Sequence, residues 1–197
     1  MKIVIINTGC ANIFSLKIAI KRLGYQPIIT NNKKIIEQSD KIFLPGVGTS
    51  KSAMSFLNKK KIVKLIKNYD RPVLGICLGM QLLGKNSEES PGILNLNIIE
   101  ESSKLINTKK LPLPHMGWNK IKILKENNLF YDVDQESYFY FLHSYAMSIN
   151  ENTISSVFYD GYFSAAIQKN NFFGVQFHPE RSGKAGEKLL KNFLEII

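Results

Sequence analysis

Apolar and polar positions along this 197-residue chain change rhythm near the middle. In roughly the first half, short apolar runs alternate with stretches in which apolar residues recur every three or four positions, the spacings of strand and helix. Ile3 to Ile6 reads as a buried strand. Ile13 to Leu23 reads as a helix through Ile13, Leu16, Ile20 and Leu23, stopped by Gly24. Gln26 to Thr30 and Lys41 to Leu44 are a second and third strand, and Met54 to Ile66 is a helix with Met54, Leu57, Ile62, Leu65 and Ile66 inward. The apolar run from Pro72 to Ile76 is a fourth strand, and Leu78 to Leu83 opens another helix. Alternating strands and helices predict a parallel sheet covered on both faces.

Past the polar turn Ser87 to Gly92 the strands shorten and the helices between them vanish. Strands are expected near Ile98 to Glu100, Asn119 to Ile123, Tyr138 to His143, Ile154 to Tyr159, Phe163 to Gln168 and Phe172 to Phe177, in a more antiparallel arrangement. A final helix from about Lys184 to Glu195 would pack Leu189, Leu190 and Phe193 on the sheet. With no linker-like stretch or internal repeat, the chain reads as one domain, residues 1–197. No segment approaches the ~20 apolar residues of a membrane span, so a cytoplasmic protein is expected.

The formal net charge of +10 raises the question of nucleic acid. Arginine occurs only at Arg22, Arg71 and Arg181, whereas base readout relies on its bidentate fork, and the Lys59-Lys60-Lys61 run falls on a helix with an apolar face. The charge therefore points to no nucleic-acid partner. The two cysteines, Cys10 and Cys77, fit a reducing compartment in which Cys77 stays unpaired and Cys10 is structural or incidental.

The chemistry concentrates at two places. Gly75-Ile76-Cys77-Leu78-Gly79 sets a cysteine between a strand and a helix, where flanking glycines permit a sharp turn and the helix start favours a thiolate. His178-Pro179-Glu180 follows the last strand, and Pro179 restricts His178 to an extended backbone. Together they supply a nucleophile, a base and an orienter for attack on an acyl or amide carbon. The oxyanion would meet the N–H of Leu78 and one from the loop Gly46-Val47-Gly48, which also falls at the carboxyl ends of the strands. His115 and His143 lack zinc-ligand spacing with either cysteine and read as hydrogen-bonded structural histidines, so no metal is expected. The Pro45-to-Gly48 loop lacks the Lys-Ser/Thr of a phosphate loop.

At these residues the chain resembles the class I, triad-type glutamine amidotransferases, through GICLGMQLL (75–83) and GVQFHPERSG (174–183). LPGVGTS (44–50), LPHMGWN (113–119) and YFLHSYAM (140–147) resemble, within that class, the glutaminase subunits of imidazole glycerol phosphate synthase. The resemblance implies a three-layer, flavodoxin-like α/β fold with a mixed, mostly parallel central sheet. It implies a cysteine thioester at Cys77, with His178 and Glu180 completing the triad. Val47 and Gly48 would form the oxyanion strand with Leu78, and Gly46, Gln81, His143, Ser144 and Tyr145 the glutamine pocket. Asn12, Met116, Trp118, Tyr140 and Arg181 would face a separate (β/α)8 synthase subunit, to which ammonia passes in histidine biosynthesis. No cofactor is implied.

Arg181 stands where some members carry lysine, keeping the charge but changing its geometry. Asn7-Thr8-Gly9-Cys10-Ala11-Asn12 departs from an Asp-Tyr-Gly-x-Gly-Asn pattern, with Ala11 replacing a glycine. Trp118 and Met116, read as lying in a Pro/Gly-containing loop, suit a protein interface better than a core. The competing readings are another triad amidotransferase subunit, such as one serving a chorismate-using partner, and a stand-alone cysteine hydrolase on the same scaffold. A glutamine-analogue electrophile is expected to alkylate Cys77; peptide mapping that finds Cys10 labelled first overturns the choice of nucleophile.

Overall fold

The computed structural model describes residues 1–9, 13–135 and 137–197. In chain order its elements are β1 (Ile3–Ile6), α1 (Ile13–Arg22), β2 (Ile28–Thr30), α2 (Lys33–Glu37), β3 (Lys41–Gly46), α3 (Ser50–Lys59), α4 (Val63–Lys67), β4 (Val73–Cys77) and α5 (Leu78–Leu83). There follow β5 (Ser103–Leu105), β6 (His115–Ile123), β7 (Tyr138–His143), β8 (Tyr145–Met147), β9 (Thr153–Phe158), β10 (Tyr162–Lys169), β11 (Phe172–Val175) and α6 (Gly183–Glu195). The main sheet has nine strands in the order β2-β1-β3-β4-β11-β10-β9-β6-β7, with β5 and β8 paired separately. From β2 to β11 neighbours run parallel; from β11 to β7 they run antiparallel.

Strand alternation builds a core on each face of the sheet. Ile3, Ile5 and Phe43 pack with Leu16 and Ile20 of α1 and with Leu189, Leu190 and Phe193 of α6. Val4, Ile6, Ile42 and Leu44 pack on the other face with α3 and α5. Each such side chain, fully buried, contributes about 1.5–3 kcal/mol. Lys41 is buried too, and its Nζ donates to the carbonyls of Phe193 and Leu194 at 2.7 and 2.8 Å, where the end of α6 offers unsatisfied acceptors.

Several elements differ from the sequence expectation. The helix expected over Met54 to Ile66 is two. Lys61 takes a left-handed φ of 56°, its N–H donates to Asn58 and that of Ile62 to Leu57, closing α3 with a Schellman motif that uses lysine where glycine is usual. The lysine run thus sits at a helix end. Ile98 to Glu100 forms no strand; the pairing segment is β5. Helix α2, with only Ile36 buried, and strand β8 were not anticipated, because both are too short to show a period. Met116 and Trp118 lie on strand β6, not in a loop.

The junction of β4 and α5 is the tightest packing near the candidate chemistry. A Cβ on Gly79 would lie 1.7 Å from the Leu44 carbonyl oxygen, and one on Gly75 would lie 2.6 Å from that of Gly79. Both glycines are thus required for close approach of α5 to β3 and β4. Gly79→Ala should cost on the order of 3 kcal/mol or more, as backbone overpacking does, lowering the melting temperature by about 10 °C. Gly161→Ala, where nothing lies within 4 Å of the added carbon, is the matched control and should melt like the parent.

Candidate active site

Because α5 is pressed against β3, the reversal from strand to helix falls on the residue between them. Cys77 takes it at φ 55° and ψ −111°, a conformation that is costly for a residue with a side chain. The flanking glycines were expected to supply the turn's freedom. Neither has a positive φ; they supply room, and the strain sits on the cysteine itself.

His178 follows β11 in extended backbone, φ −102° and ψ 94°, as the succeeding proline requires. Its Nδ1 meets Glu180 Oε1 at 2.8 Å, and the imidazole also bonds Cys77. Burial opposes the imidazolium, but the hydrogen bonds and charges of Cys77 and Glu180 outweigh it and raise His178 to about 10. The proton therefore resides on the ring at neutral pH. A closed circuit fixes the backbone behind it. The His178 N–H donates to the Tyr140 carbonyl at 2.8 Å, the Tyr140 N–H to Ser182 Oγ at 3.0 Å, and the Ser182 hydroxyl to the His178 carbonyl at 2.6 Å.

A cavity of about 450 Å³ opens in front of the cysteine, lined by Val47, Gly48, Cys77, Leu78, Gln81, His143, Ser144, Tyr145, His178 and Arg181. Most of the predicted site is thereby brought together. Gly46 stands beside Cys77 in the β3–β4 register and is packed so closely that a Cβ there would lie 2.9 Å from that of Leu78. The loop Val47-Gly48 is pinned at both ends. Thr8 Oγ1 donates to the Pro45 carbonyl at 3.0 Å, and Thr49 caps α3 by accepting from Ser52 N–H.

Gln81 is buried, and both its amide hydrogens are spent: Nε2 donates to the Tyr145 carbonyl at 2.9 Å and to Gln176 Oε1 at 3.2 Å. It can offer a ligand only Oε1. Met116 and Trp118 are exposed, at 66% and 55%, and Arg181 lies over the Tyr140 ring, 5.1 Å from its centroid. Asn12, the remaining candidate for the partner-facing side, lies outside the described residues, as do Cys10 and Ala11.

Two residues escape a reading of the sequence. Gln176, fully buried, points Nε2 at Cys77 Sγ from 3.8 Å, a donor for a sulfur anion. It belongs to the apolar run ending β11, where a lone amide is the available signal. Glu89 brings a carboxylate to the cavity, and burial raises its pKa; the sequence marks it only as part of a polar turn. His115 and His143 are bonded to each other, Nδ1 to Nε2 at 3.1 Å, in line with their reading as structural histidines. Among the described residues no group of three His, Cys, Asp or Glu side chains could hold a metal ion.

The family described as glutamine amidotransferase class-I matches the chain over residues 4–197. The chain belongs to the class-I glutamine amidotransferases. As a member of that family it is a glutamine-hydrolysing enzyme. It is 55% identical to the imidazole glycerol phosphate synthase subunit HisH of Pectobacterium atrosepticum and 54% identical to that of Salmonella typhimurium, over all of each chain. Among solved structures, PurLQS of Thermotoga maritima superposes with a TM-score of 0.77 at 17% identity, covering 99% of this chain and 98% of that one. A glutamine amidotransferase of the same organism gives 0.72 at 16%, covering 100% and 97%. Both share the fold described above.

Two expectations follow from the site. Ser182→Ala opens the circuit behind His178 and should lower glutamine turnover about tenfold, as loss of one orienting hydrogen bond does, with little change in KM. An unchanged turnover number would show that the circuit does not hold the imidazole. The second concerns acid. Burial depresses His143 to about 3 and His115 to about 4, whereas both titrate near 6.5 when unfolded. Below pH 6.5 the unfolded chain therefore takes up protons that the native state refuses, and stability falls toward pH 4. His178, raised to about 10, works oppositely: its contribution is full below 6.5 and is lost as pH rises through 10. Between pH 6.5 and 5 the net loss should be on the order of 3 kcal/mol, a fall of roughly 6–12 °C in melting temperature. A flat profile across that window would contradict the buried neutral pair.

Proposed function

We propose that this chain is the glutaminase subunit of imidazole glycerol phosphate synthase. It hydrolyses glutamine to glutamate and ammonia and passes the ammonia to a separate (β/α)8 synthase subunit. There it enters imidazole glycerol phosphate, with release of an aminoimidazole carboxamide ribotide, in cytoplasmic histidine biosynthesis. The observation that carries the reading is the continuous contact from Cys77 through His178 to Glu180, with Cys77 and His178 lining a cavity together with Gln81, His143, Ser144 and Tyr145. Likeness along the whole length to the HisH subunits supports the choice of partner.

In the reaction the Cys77 sulfur attacks the side-chain amide carbon of glutamine, forming a C–S bond and a tetrahedral oxyanion. N–H groups at Leu78 and in the Val47-Gly48 loop receive that charge. The imidazolium of His178 gives its proton to the amide nitrogen, the C–N bond breaks and ammonia leaves a thioester. Water then attacks the thioester carbon, His178 takes up a proton from it, the C–S bond breaks, and glutamate departs, leaving the sulfur free and the His178 ring protonated as at the start. Glu180 holds the ring and its charge throughout, and Gln176 donates toward the sulfur. At the other end of the substrate, the Glu89 carboxylate suits the α-ammonium group, and the Ser144-Tyr145 backbone suits the carboxylate. Met116, Trp118, Tyr140 and Arg181 form the partner-facing surface, where an exposed aromatic patch ringed by charge fits a protein interface.

Glutamate release decides the matter, measured for this chain alone and then in complex with the nucleotide-loaded synthase subunit. Near silence alone with strong activation in the complex is expected; equal activity in both conditions would favour an independent hydrolase. Cys77→Ala should remove turnover by about 10⁴-fold or more. Trp118→Ala should weaken the complex while the subunit melts normally, and unchanged affinity in calorimetry would take Trp118 out of the interface.

A further inference from the structure

Two buried imidazoles that the hydrolysis does not use lie in a hydrogen-bonded chain whose direction is fixed at both ends. At one end the Asn119 amide takes the Lys120 N–H on Oδ1 at 2.8 Å and donates from Nδ2 to the Phe158 carbonyl at 2.9 Å. The same Nδ2 lies 3.2 Å from His115 Nε2, so that nitrogen must present a lone pair. At the other end His143 Nδ1 lies 2.9 Å from the Tyr145 carbonyl, which can only accept, so that nitrogen must carry hydrogen. In a neutral ring His143 Nε2 then accepts, and His115 Nδ1, 3.1 Å away, donates. Both assignments meet without conflict: Asn119 donates to His115, His115 to His143, and His143 to Tyr145. Burial keeps both rings neutral at ordinary pH. His115 is further held between Tyr159 and Phe141, with ring centroids 4.0 and 4.7 Å away.

The chain ends on the atom that orders the pocket wall. The Tyr145 carbonyl also accepts from Gln81 Nε2, which bonds Gln176, which in turn donates toward Cys77 Sγ. It starts on β6, the strand whose outward residues include Met116 and Trp118. We propose that His115 is a positioning residue for glutamine: through His143 it sets the Tyr145 carbonyl and the pocket wall, and it ties that wall to the exposed strand β6. This rests on reading the cavity as the glutamine site. His115 touches no substrate; it acts by fixing the tautomer and orientation of His143.

The test uses the full chain and two thiol probes, a glutamine-shaped diazoketone that must occupy the pocket and iodoacetamide, which need not. His115→Phe keeps the aromatic stack and removes the Nδ1 donor. It should raise the diazoketone concentration for half-maximal labelling of Cys77 about tenfold, the equivalent of one buried hydrogen bond, and leave the maximal rate and iodoacetamide labelling within about twofold. His115→Asn, whose amide nitrogen reproduces the Nδ1 donor, should recover most of the loss, and Asn119→Ala should weaken labelling in the same direction. Parental labelling by His115→Phe would overturn the proposal in favour of ring packing alone, and a defect equal in the Phe and Asn variants would overturn it by showing that restoring the Nδ1 donor restores nothing. Imidazole ¹⁵N shifts of the parent protein supply an arm independent of folding in the variants. Both rings should be neutral and protonated on Nδ1 at pH 6, and hydrogen on Nε2 of either ring would break the chain. Failure of the diazoketone to label the parent would instead count against the glutaminase reading, and the ¹⁵N measurement would still decide the direction of the chain.

Discussion

The short distance between α5 and the two strands beneath it governs the rest of the site. Where Gly79 meets the Leu44 carbonyl no side-chain carbon fits, so the helix begins directly against β3 and the chain has one residue in which to reverse. That residue is Cys77, and its left-handed φ is the cost of the contact. The strain is borne by two rigid elements packed on a shared core, which over-determine the conformation. Relaxing either glycine to alanine would move Cys77 and the helix start together, and with them the end of β3 at Gly46 that packs on Leu78.

The sheet divides its work at β11. Its parallel half brings Cys77 and the Val47-Gly48 loop to the carboxyl ends of β3 and β4, where crevices form in such sheets. Its antiparallel half supplies β7 to the opposite wall, which continues into β8 of the separate two-stranded sheet. Strand β11 belongs to both, parallel to β4 and antiparallel to β10, and the chain leaving it carries Gln176 to the sulfur and His178 to its ring partner. The segment that carries His178 thus leaves from a strand hydrogen-bonded on both sides.

Legibility in the sequence followed the strength of local signals. The parallel strands were visible because runs such as Ile3 to Ile6 are buried on both faces and so uniformly apolar, and α6 because thirteen residues display a full amphipathic period. The meeting of Cys77, His178 and Glu180 was legible because each sits in a short motif with its own backbone logic. The break after α3 was hidden, since lysine carries the left-handed turn that glycine usually announces. Strand β6 began earlier than expected because His115, Gly117 and Asn119 face inward without an apolar alternation to mark them. Gln176 and Glu89 were missed for a related reason. Their roles depend on what lies opposite them in space, at sequence separations of 99 residues for Gln176 and Cys77, and no local pattern records that.

Strand β7 shows how one stretch of backbone can serve the pocket and the outer surface at once. Phe139, Phe141 and His143 turn inward, while Tyr138 and Leu142 turn outward and Tyr140 lies half-buried under Arg181. The backbone between them is equally engaged. The Leu142 carbonyl lies 3.7 Å from Cys77 Sγ, and Tyr140 exchanges hydrogen bonds with the His178 segment through its own N–H and carbonyl. With a period of two, a slip of one residue would invert every one of these roles. The tilted contact of the Phe139 and Phe177 rings, 4.1 Å between centroids, and the six-residue register with β6 prevent that slip. A load placed on the outward residues is therefore borne by the same peptide groups that face Cys77 and hold His178. Because the interior is close-packed, displacement on one face of this strand cannot be absorbed before it reaches the other.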